Sequence, residues 1–392
     1  MEYLSHMPDN DRSEKHISRR GVIRVAGASG IAVLAGCTDQ FTSEGGGNPG
    51  AATDRGGGSR TITDGTGRDV SVPAEIERVI CIGAGTLRQV AYMKAADRVV
   101  GVEEGEKTFM TRSPYNMANP GLRDLPTIGP SGPNASGNAE QILAQDPDVI
   151  FYIARGDPNP AEELSDQTDT PVVILNITHF GTESERETIY DTWELLGEVL
   201  NKADRATELV EITKAYLEDL ESRSADRAEP ERSAYVGGIS YKGAHGINWT
   251  RNPYPPFEYT HTNNVVEEAE SGTPFQVAVE KLIEWDPPTA FVDSGNVELV
   301  KQSIEENSAL RDVSAIENEE VYKILPSVMY HSIYTNVIAN AYYVGKTVYS
   351  DDYSELSIQA KTDEIYQRYL GASLYEDTNS IYSMFEPMSI PE

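Results

Sequence analysis

A glycine-rich loop in the second half of the chain carries three side chains suited to binding a metal complex or an anion. Tyr241, Lys242 and His245 lie within residues 240–246, directly after an apolar run at residues 234–239. A histidine ring nitrogen can ligate a metal or donate a hydrogen bond. On a chain with a formal net charge of −31, a lysine in a cleft would attract an anionic ligand. A solvated surface loop is the alternative.

Two further candidates continue the same loop. Trp249 could provide an aromatic wall for a ligand, and Arg251 could hold a carboxylate with two parallel hydrogen bonds. Packing between lobes is the alternative for both residues.

Other candidates follow apolar runs that read as strands. Tyr330 and His331 follow the run at 322–325, and Arg155 follows the run at 149–153. Ligands of open α/β sheets bind where strands end, which makes these three residues ligand-binding candidates. We assign His179 and His261 to loops without a binding role.

A glycine turn opens the first helical pattern. Gly85 and Thr86 follow the apolar run at 78–82 and precede an amphipathic stretch at 87–95. Free N–H groups at such a helix start could hold an anionic group. A tight strand–helix turn explains the same residues, and a lone Gly-x-Gly does not distinguish the two.

The charge balance and the cysteines limit the classes of function. The chain has 63 acidic and 32 basic residues spread along its length, whereas a nucleic-acid-binding protein needs a basic footprint. Molar salt screens such self-repulsion, so the composition indicates a halophilic source. One of the two cysteines, Cys81, lies in an apolar run and is expected to be buried without a disulfide.

The N-terminal region has the order of an export signal. Arg19 and Arg20 precede a short apolar segment, which ends at Leu34-Ala35-Gly36-Cys37. That segment is shorter than the ~20 residues of a membrane helix and is typical of a targeting sequence. We predict a twin-arginine lipoprotein signal peptide at 1–36, lipid on Cys37 and a flexible linker at 37–60. A buried, uncleaved helix is the alternative.

Strand and helix patterns alternate in both halves of the remaining chain, which predicts parallel sheets covered by helices. We expect an N-terminal lobe at 61–182 that starts with a hairpin around Asp64-Gly65. A C-terminal lobe is expected at 227–350 and a helical tail at 351–392. Between the lobes, residues 183–226 predict one long, rigid spine helix, and residues 201–204 offer a point where it could end and restart.

The two halves share a repeated block at an offset of 140 residues. Glu140 and Glu280 each precede two aliphatic residues and an Asp-Pro pair, Asp146-Pro147 and Asp286-Pro287. Proline is expected to end each helix and to hold its aspartate extended before the next strand. Thr273 and Gln276 read as a capping box for the second helix.

These features together resemble the substrate-binding lipoproteins of ABC importers. The resemblance is to the class for iron complexes, cobalamin and haem, in a halophilic archaeal form. It covers residues 79–349 and is carried by the two Glu…Asp-Pro blocks, the 240–246 loop, Tyr254-Pro255-Pro256-Phe257 and residues 336–349.

The resemblance implies two lobes that close on one ligand, here an iron complex of siderophore or haem type. It also implies a permease dimer with its ATPase as partner, docked through Glu140 and Glu280, with two solvated helix glutamates as the alternative. The expected location is the extracellular face of the cytoplasmic membrane, and the expected state is a monomer.

Alternative ligands and classes remain. The same fold could bind cobalamin, an oxyanion such as molybdate or tungstate, or a divalent metal, although the four histidines after residue 37 include no close pair. A surface-anchored enzyme is less favoured, because no serine-nucleophile elbow, His-Glu-x-x-His or Walker loop occurs after residue 37. No catalytic residue, cofactor or nucleic acid is expected.

Overall fold

The computed structural model describes residues 58–132, 135–154, 156–224, 232–241, 243–266 and 273–391. The predicted signal peptide, the predicted lipidation site Cys37 and nearly all of the linker lie outside these ranges, as do Arg155 and Lys242. Within the described ranges, no helix combines the length and the apolar character that crossing a bilayer requires.

The N-terminal part of the chain forms a parallel sheet, and with its helices we call it the N-lobe. Its strands are β1 (Ser59–Thr63), β2 (Asp69–Pro73), β3 (Val79–Ile82), β4 (Val99–Gly101), β5 (Val149–Tyr152) and β6 (Val172–Ile174). The sheet order is β4-β3-β5-β6, and all three pairings are parallel. Every residue of β3, β5 and β6 is buried, as expected for a sheet covered on both faces.

The predicted hairpin is confirmed, with β1 and β2 paired antiparallel. Its turn is held by the buried carboxylate of Asp64, which accepts the N–H groups of Thr66 and Arg68. The same carboxylate accepts the N–H of Ile174, at 3.2 Å. The hairpin is thereby fixed to the edge strand β6. The helices of this lobe are α1 (Thr86–Tyr92), α2 (Pro114–Ala118), α3 (Ala139–Leu143) and α4 (Asn159–Thr168).

The predicted spine is two helices rather than one: α5 (Glu183–Val199) and α6 (Ala203–Ser224). Asn201, between them, has a φ of 55°, which ends the first helix. Lys214 lies 5.1 Å from the ring of Tyr190, so α6 runs back along α5 as a helical hairpin. The break between the two helices falls at residues 200–202, overlapping the point at 201–204 where the sequence indicated that the helix could end and restart.

The C-lobe repeats the parallel architecture. Its strands are β7 (Ser233–Gly237), β8 (Trp249–Thr250), β9 (Asn263–Asn264), β10 (Phe275–Gln276), β11 (Ala290–Asp293) and β12 (Val321–Ile324). The main sheet has the order β12-β11-β7-β9, and β8 pairs with β10. The helices are α7 (Pro255–Glu258), α8 (Val279–Trp285), α9 (Val297–Glu306), α10 (Ser314–Glu317) and α11 (Tyr334–Val348). A small hairpin before α11 consists of β13 (Val328–Met329) and β14 (His331–Ser332).

The repeated blocks occupy matching places, because α3 precedes β5 and α8 precedes β11. Two local predictions were wrong. Asp146 and Asp286 are left-handed, with φ of 46° and 42°, instead of extended. Thr273 and Gln276 form no capping box, since α8 begins at Val279 and Gln276 pairs with Trp249 in a strand.

The C-terminal tail packs on both lobes. Helix α12 (Ile358–Leu370) lies against the N-lobe side, where Arg205 of α6 donates to the carbonyls of Arg368 and Tyr369. Helix α13 (Tyr375–Tyr382) follows. The backbones of Phe385 and Met388 then bond to β12 as an extra antiparallel edge. This tail covers a sheet edge that would otherwise expose unpaired backbone groups.

Candidate ligand-binding site

One large cavity lies between the lobes. It has a volume of about 920 Å³, and its wall is built mainly from segments that follow strands β5, β6, β7 and β12. The prediction that the site lies at the carboxyl ends of the strands therefore fits the geometry. The lining residues are Thr66, Phe109, Ile153, Ala154, Gly156, Ile174, Leu175, Asn176, Ile177, Thr178, His179, Thr188, Ser240, Tyr241, Gly243, Thr273, Val328, Met329, Tyr330 and His331.

The charge of this wall differs from that of the chain as a whole. Although 63 of the 392 residues are acidic, none of the described lining residues is Asp or Glu. Aliphatic and aromatic side chains alternate there with hydroxyl, amide and imidazole groups. A carboxylate-free wall suits a neutral or anionic ligand, since nearby like charges would oppose an anion.

Tyr330 and His331 enter the cavity from the β13–β14 hairpin, as the sequence predicted for the end of β12. Tyr330 has a φ of 63°, which turns the hairpin tightly. Its hydroxyl lies 3.0 Å from the N–H of Gly132 and 3.3 Å from Oε1 of Glu103. Phe109, 51% exposed, stands edge-on to its ring, with the centroids 6.1 Å apart.

Two buried carboxyl groups lie behind this hairpin. Burial raises the pKa of Glu103 to about 8 and that of Glu106 to about 7. Glu106 accepts hydrogen bonds of 2.6 Å from both Tyr115 and Asn116. Glu103 accepts the N–H of Gly83. Both acids belong to the wall's support and not to its lining.

A pair of histidines lies in the wall. His179, which follows β6, stacks on His331 with centroids 5.2 Å apart and an angle of 15° between the rings. Nδ1 of His179 lies 2.8 Å from the hydroxyl of Ser332. Burial, and then the charge of Arg251, lower the pKa of His179 and so favour the neutral ring, which can accept or donate a hydrogen bond.

The loop at 240–246 supplies the C-lobe wall through Ser240, Tyr241 and Gly243. His245 and Trp249 support it from behind: their rings stack 3.7 Å apart at 7°, and Nε2 of His245 lies 2.7 Å from the carbonyl of Tyr241. Of the predicted loop residues, Tyr241 lines the cavity, whereas His245 and Trp249 stabilise its position.

Arg251 lies deeper and is only 6% exposed. Its Nε has no hydrogen-bond partner within the described part of the chain. Burial lowers its pKa, while Glu185, Tyr254 and Tyr259 oppose that shift. Arg251 acts on His179 through its charge and is absent from the described lining.

The glycine turn before α1 has a packing role. Gly85, with a φ of 87°, approaches the hairpin so closely that a Cβ there would lie 2.9 Å from the Cβ of His331. The hydroxyl of Thr86 donates back to the carbonyls of Ile82 and Gly83, and its side chain is fully buried. The N–H of Gly83 donates to Glu103, so the chain's own carboxyl group binds in this turn, for which the sequence left open either an anionic ligand or a tight strand–helix turn.

Two of the three predicted cations, Arg155 and Lys242, fall outside the described residues, but the neighbours of each line the cavity. Ala154 and Gly156 flank Arg155, and Tyr241 and Gly243 flank Lys242. Their roles remain predictions. Sequence reasoning missed His179, although the rule that selected Tyr330 also selects a histidine after β6. Phe109 and Glu103 carried no comparable signal.

Metal-ligating side chains do not converge in the described residues, where no group of three or more His, Cys, Asp or Glu is placed to hold an ion. Two described histidines, His245 and His261, do not line the cavity. His261 pairs with Glu221 at the surface, with 2.8 Å between Nε2 and Oε2. The groups available for a ligand are therefore imidazole, phenol and hydroxyl groups spread over a large wall.

The chain is similar to proteins whose names describe the binding of a solute or substrate. It is 23% identical over 348 residues to the molybdate-binding protein MolA of Haemophilus influenzae, covering 81% of this chain and 93% of the relative. It is 18% identical over 296 residues to an uncharacterised ABC transporter substrate-binding lipoprotein of Bacillus subtilis, covering 75% and 87%. A periplasmic solute binding protein from Veillonella parvula superposes with a TM-score of 0.67 at 19% identity, covering 83% of this chain and 97% of that one.

These relatives are solute-binding proteins and not enzymes. Binding proteins of this kind work with an ABC permease and its ATPase and take small ligands. The two-lobed fold, the cavity between the lobes and a family model that matches residues 79–328 agree. The chain belongs to the periplasmic binding protein family and is a substrate-binding protein of an ABC transporter.

Proposed function

We propose that the protein captures an iron complex of the siderophore or haem type and delivers it to its permease. The observation that carries this proposal is the cavity: about 920 Å³, with no acidic residue among its described lining. Pockets for organic ligands span roughly 300–1,000 Å³, so the volume suits a chelate rather than a single small ion.

The wall offers the contacts that such a complex needs. Phe109, Tyr241 and Tyr330 provide aromatic surface for an organic ligand. The stacked rings of His179 and His331 provide imidazole nitrogens for an oxygen-rich chelate or for an open coordination position on its metal. Arg155 and Lys242, flanked by lining residues, are proposed to add positive charge.

Direct binding tests this proposal. The full chain, titrated with ferrioxamine B, haemin and sodium molybdate by calorimetry, is expected to bind an iron complex with a Kd below about 1 μM. Tryptophan fluorescence should fall, with Trp249 as the reporter because its ring lies 6.2 Å from that of Tyr241. Binding of molybdate alone would contradict the iron proposal.

A matched pair of variants locates the site. H179A/H331A is expected to weaken binding of the iron complex at least tenfold, because both rings line the cavity. H261A should leave it unchanged, because that histidine pairs with Glu221 on the surface. Equal losses in both would exclude the cavity as the site.

An oxyanion is the second candidate. The relative MolA carries the name of a molybdate-binding protein, and Arg251 is a buried guanidinium whose Nε lacks a hydrogen-bond partner among the described residues. If this candidate is right, R251M abolishes molybdate binding while W249F keeps it. If the iron complex is the ligand, R251M weakens its binding only in part.

The docking proposal concerns Glu140 and Glu280. Each is exposed and is the second residue of its helix, α3 or α8. One carboxylate per lobe suits a two-fold permease. E140Q/E280Q is expected to abolish uptake and preserve ligand binding, whereas E162Q/E298Q, also in first helical turns of the two lobes, should retain uptake. Loss of ligand binding in the first double variant would contradict a docking role.

We also propose that the protein is anchored to the membrane by lipid on Cys37 and that its acidic surface is adapted to high salt. If Cys37 carries lipid, C37S should release the protein from membranes.

If the net charge of −31 reflects a halophilic source, the melting temperature should rise steeply between 0.1 and about 2 M KCl, because salt screens the acidic surface. A flat salt response would contradict that adaptation.

A further inference from the structure

The β13–β14 hairpin follows a strand of the C-lobe but is bound by an arginine of the N-lobe. Nη1 of Arg88 donates to the carbonyls of His331 and Ser332, at 3.0 and 2.7 Å. Nη2 donates to the carbonyl of Met329, at 2.7 Å. Arg88 belongs to α1 and is 1% exposed. One guanidinium thus holds three carbonyls of the segment that presents Tyr330 and His331 to the cavity.

Four further polar contacts of this hairpin also reach N-lobe residues. The Tyr330 hydroxyl meets Gly132 and Glu103. The hydroxyl of Ser113 lies 3.2 Å from Sδ of Met329, and that of Ser332 lies 2.8 Å from His179. The hairpin is therefore fixed to one lobe although its chain enters from the other.

Arginine suits this place because its planar fork offers several donors in fixed directions. A buried positive charge needs compensation. The three carbonyl dipoles supply part of it, the nearby Glu106 adds to it, and the ring of Tyr115 lies 5.3 Å from the guanidinium carbon. Lysine would keep the charge but lose the fork.

We infer that Arg88 is a positioning residue for ligand binding, which fixes the β13–β14 hairpin, and with it Tyr330 and His331, to the N-lobe wall of the cavity. The effect of Arg88 on ligand affinity rests on the proposed function. Its effect on the placement of the two imidazole rings rests on the geometry alone.

A matched control is available in the same fold. Arg205 is also buried, at 8% exposure, and its guanidinium donates to three carbonyls, those of Tyr92, Arg368 and Tyr369. None of these residues lines the cavity. A purely structural role for Arg88 predicts that substitutions at the two arginines have the same consequences.

The experiment compares R88M, R88K, R205M and R205K in the full chain. Histidine-ring NMR reports the placement of His179 and His331 without any ligand, and calorimetry with ferrioxamine B reports affinity. R88M is expected to shift both ring signals, to raise the pKa of His179 as the hairpin uncovers it, and to weaken binding at least tenfold. R88K should lie between R88M and the wild type. R205M should lower the melting temperature but leave ring signals and affinity within twofold of wild type.

Unchanged ring signals in R88M, or the same shifts in R205M, would overturn the inference. If R88M does not fold, R88K against R205K decides: wild-type ring signals in R88K would overturn it. If wild-type protein binds neither ferrioxamine B nor haemin, the proposed ligand class is wrong, while the ring signals still test Arg88.

Discussion

Two segments that follow C-lobe strands line the cavity, and they are held in different ways. The β13–β14 hairpin receives three hydrogen bonds from Arg88 and further contacts through the Tyr330 hydroxyl. The loop at 240–246 is held by the stack of His245 on Trp249, by one contact from His245 to a carbonyl, and by Asn296 at 2.9 Å from the hydroxyl of Ser240.

Because of this difference, we call the β13–β14 hairpin (residues 328–332) the fixed wall of the cavity and the loop at 240–246 its adjustable wall. Bonds from a buried guanidinium to carbonyls are directional and hold a backbone in one place, whereas a ring stack tolerates small shifts. We therefore expect the hairpin to keep its position between ligand-free and bound states and the 240–246 loop to adapt to the ligand.

The largest expected effect is a pH response of the fixed wall. Glu103 has a pKa of about 8 in the folded protein, against 4.5 for the ordinary group. Because the folded pKa is raised, its stabilising effect is complete below the ordinary pKa and is lost as pH rises through about 8. At about 1.4 kcal/mol per pKa unit, this shift gives an upper limit of about 5 kcal/mol. Urea unfolding between pH 5 and 9 measures it.

E103Q supplies the control, since glutamine keeps an acceptor for Gly83 and Tyr330 but cannot ionise. The pH slope of its unfolding free energy should be much smaller. The remainder should come from Glu106 and from the buried Asp293, each with a pKa raised to about 7. A slope in E103Q equal to that of wild type would show that Glu103 does not contribute to the pH response.

The contrast between the walls also shows what a sequence can predict. The parallel sheets, the repeat at offset 140 and the position of the cavity follow from local patterns: apolar runs mark the strands, and strand ends mark the site. That rule selected Tyr241, Tyr330 and His331, which line the cavity. His179 obeys the same rule and was excluded only because it was treated as a loop histidine.

The support behind the walls could not be predicted in this way. Arg88 and its carbonyl partners lie more than 240 positions apart in the chain, and no local pattern connects them. Glu103 looks like any of the 63 acidic residues until folding buries it. The left-handed Asp146 and Asp286 likewise depend on how each helix end meets the following strand, which outweighs the preference of a residue before proline.

A smaller effect is expected on the adjustable wall. W249A removes the ring that stacks on His245, so stability should fall by about 2 kcal/mol, less than the roughly 3–5 kcal/mol of a fully buried tryptophan. Affinity for ferrioxamine B should fall about threefold, because Tyr241 loses its support but the hairpin is intact. W249F keeps a stacking ring and should recover most of both, as thermal melting and calorimetry can test. A tenfold or larger loss of affinity in W249A would mean that the loop is as fixed as the hairpin.

The smallest expected effect separates two roles of the Tyr330 hydroxyl: its effect on the pKa of Glu103 and any part it has in holding the hairpin in place. Y330F removes only the hydroxyl that meets Gly132 and Glu103, at a cost of about 1 kcal/mol. The hydrogen bond from Tyr330 lowers the pKa of Glu103, so its loss should move the midpoint of the pH response upward. Arg88 still holds the backbone, so the ring signals of His179 and His331 should stay nearly constant. Large shifts of these signals in Y330F would mean that the tyrosine hydroxyl, and not the guanidinium, holds the hairpin in place.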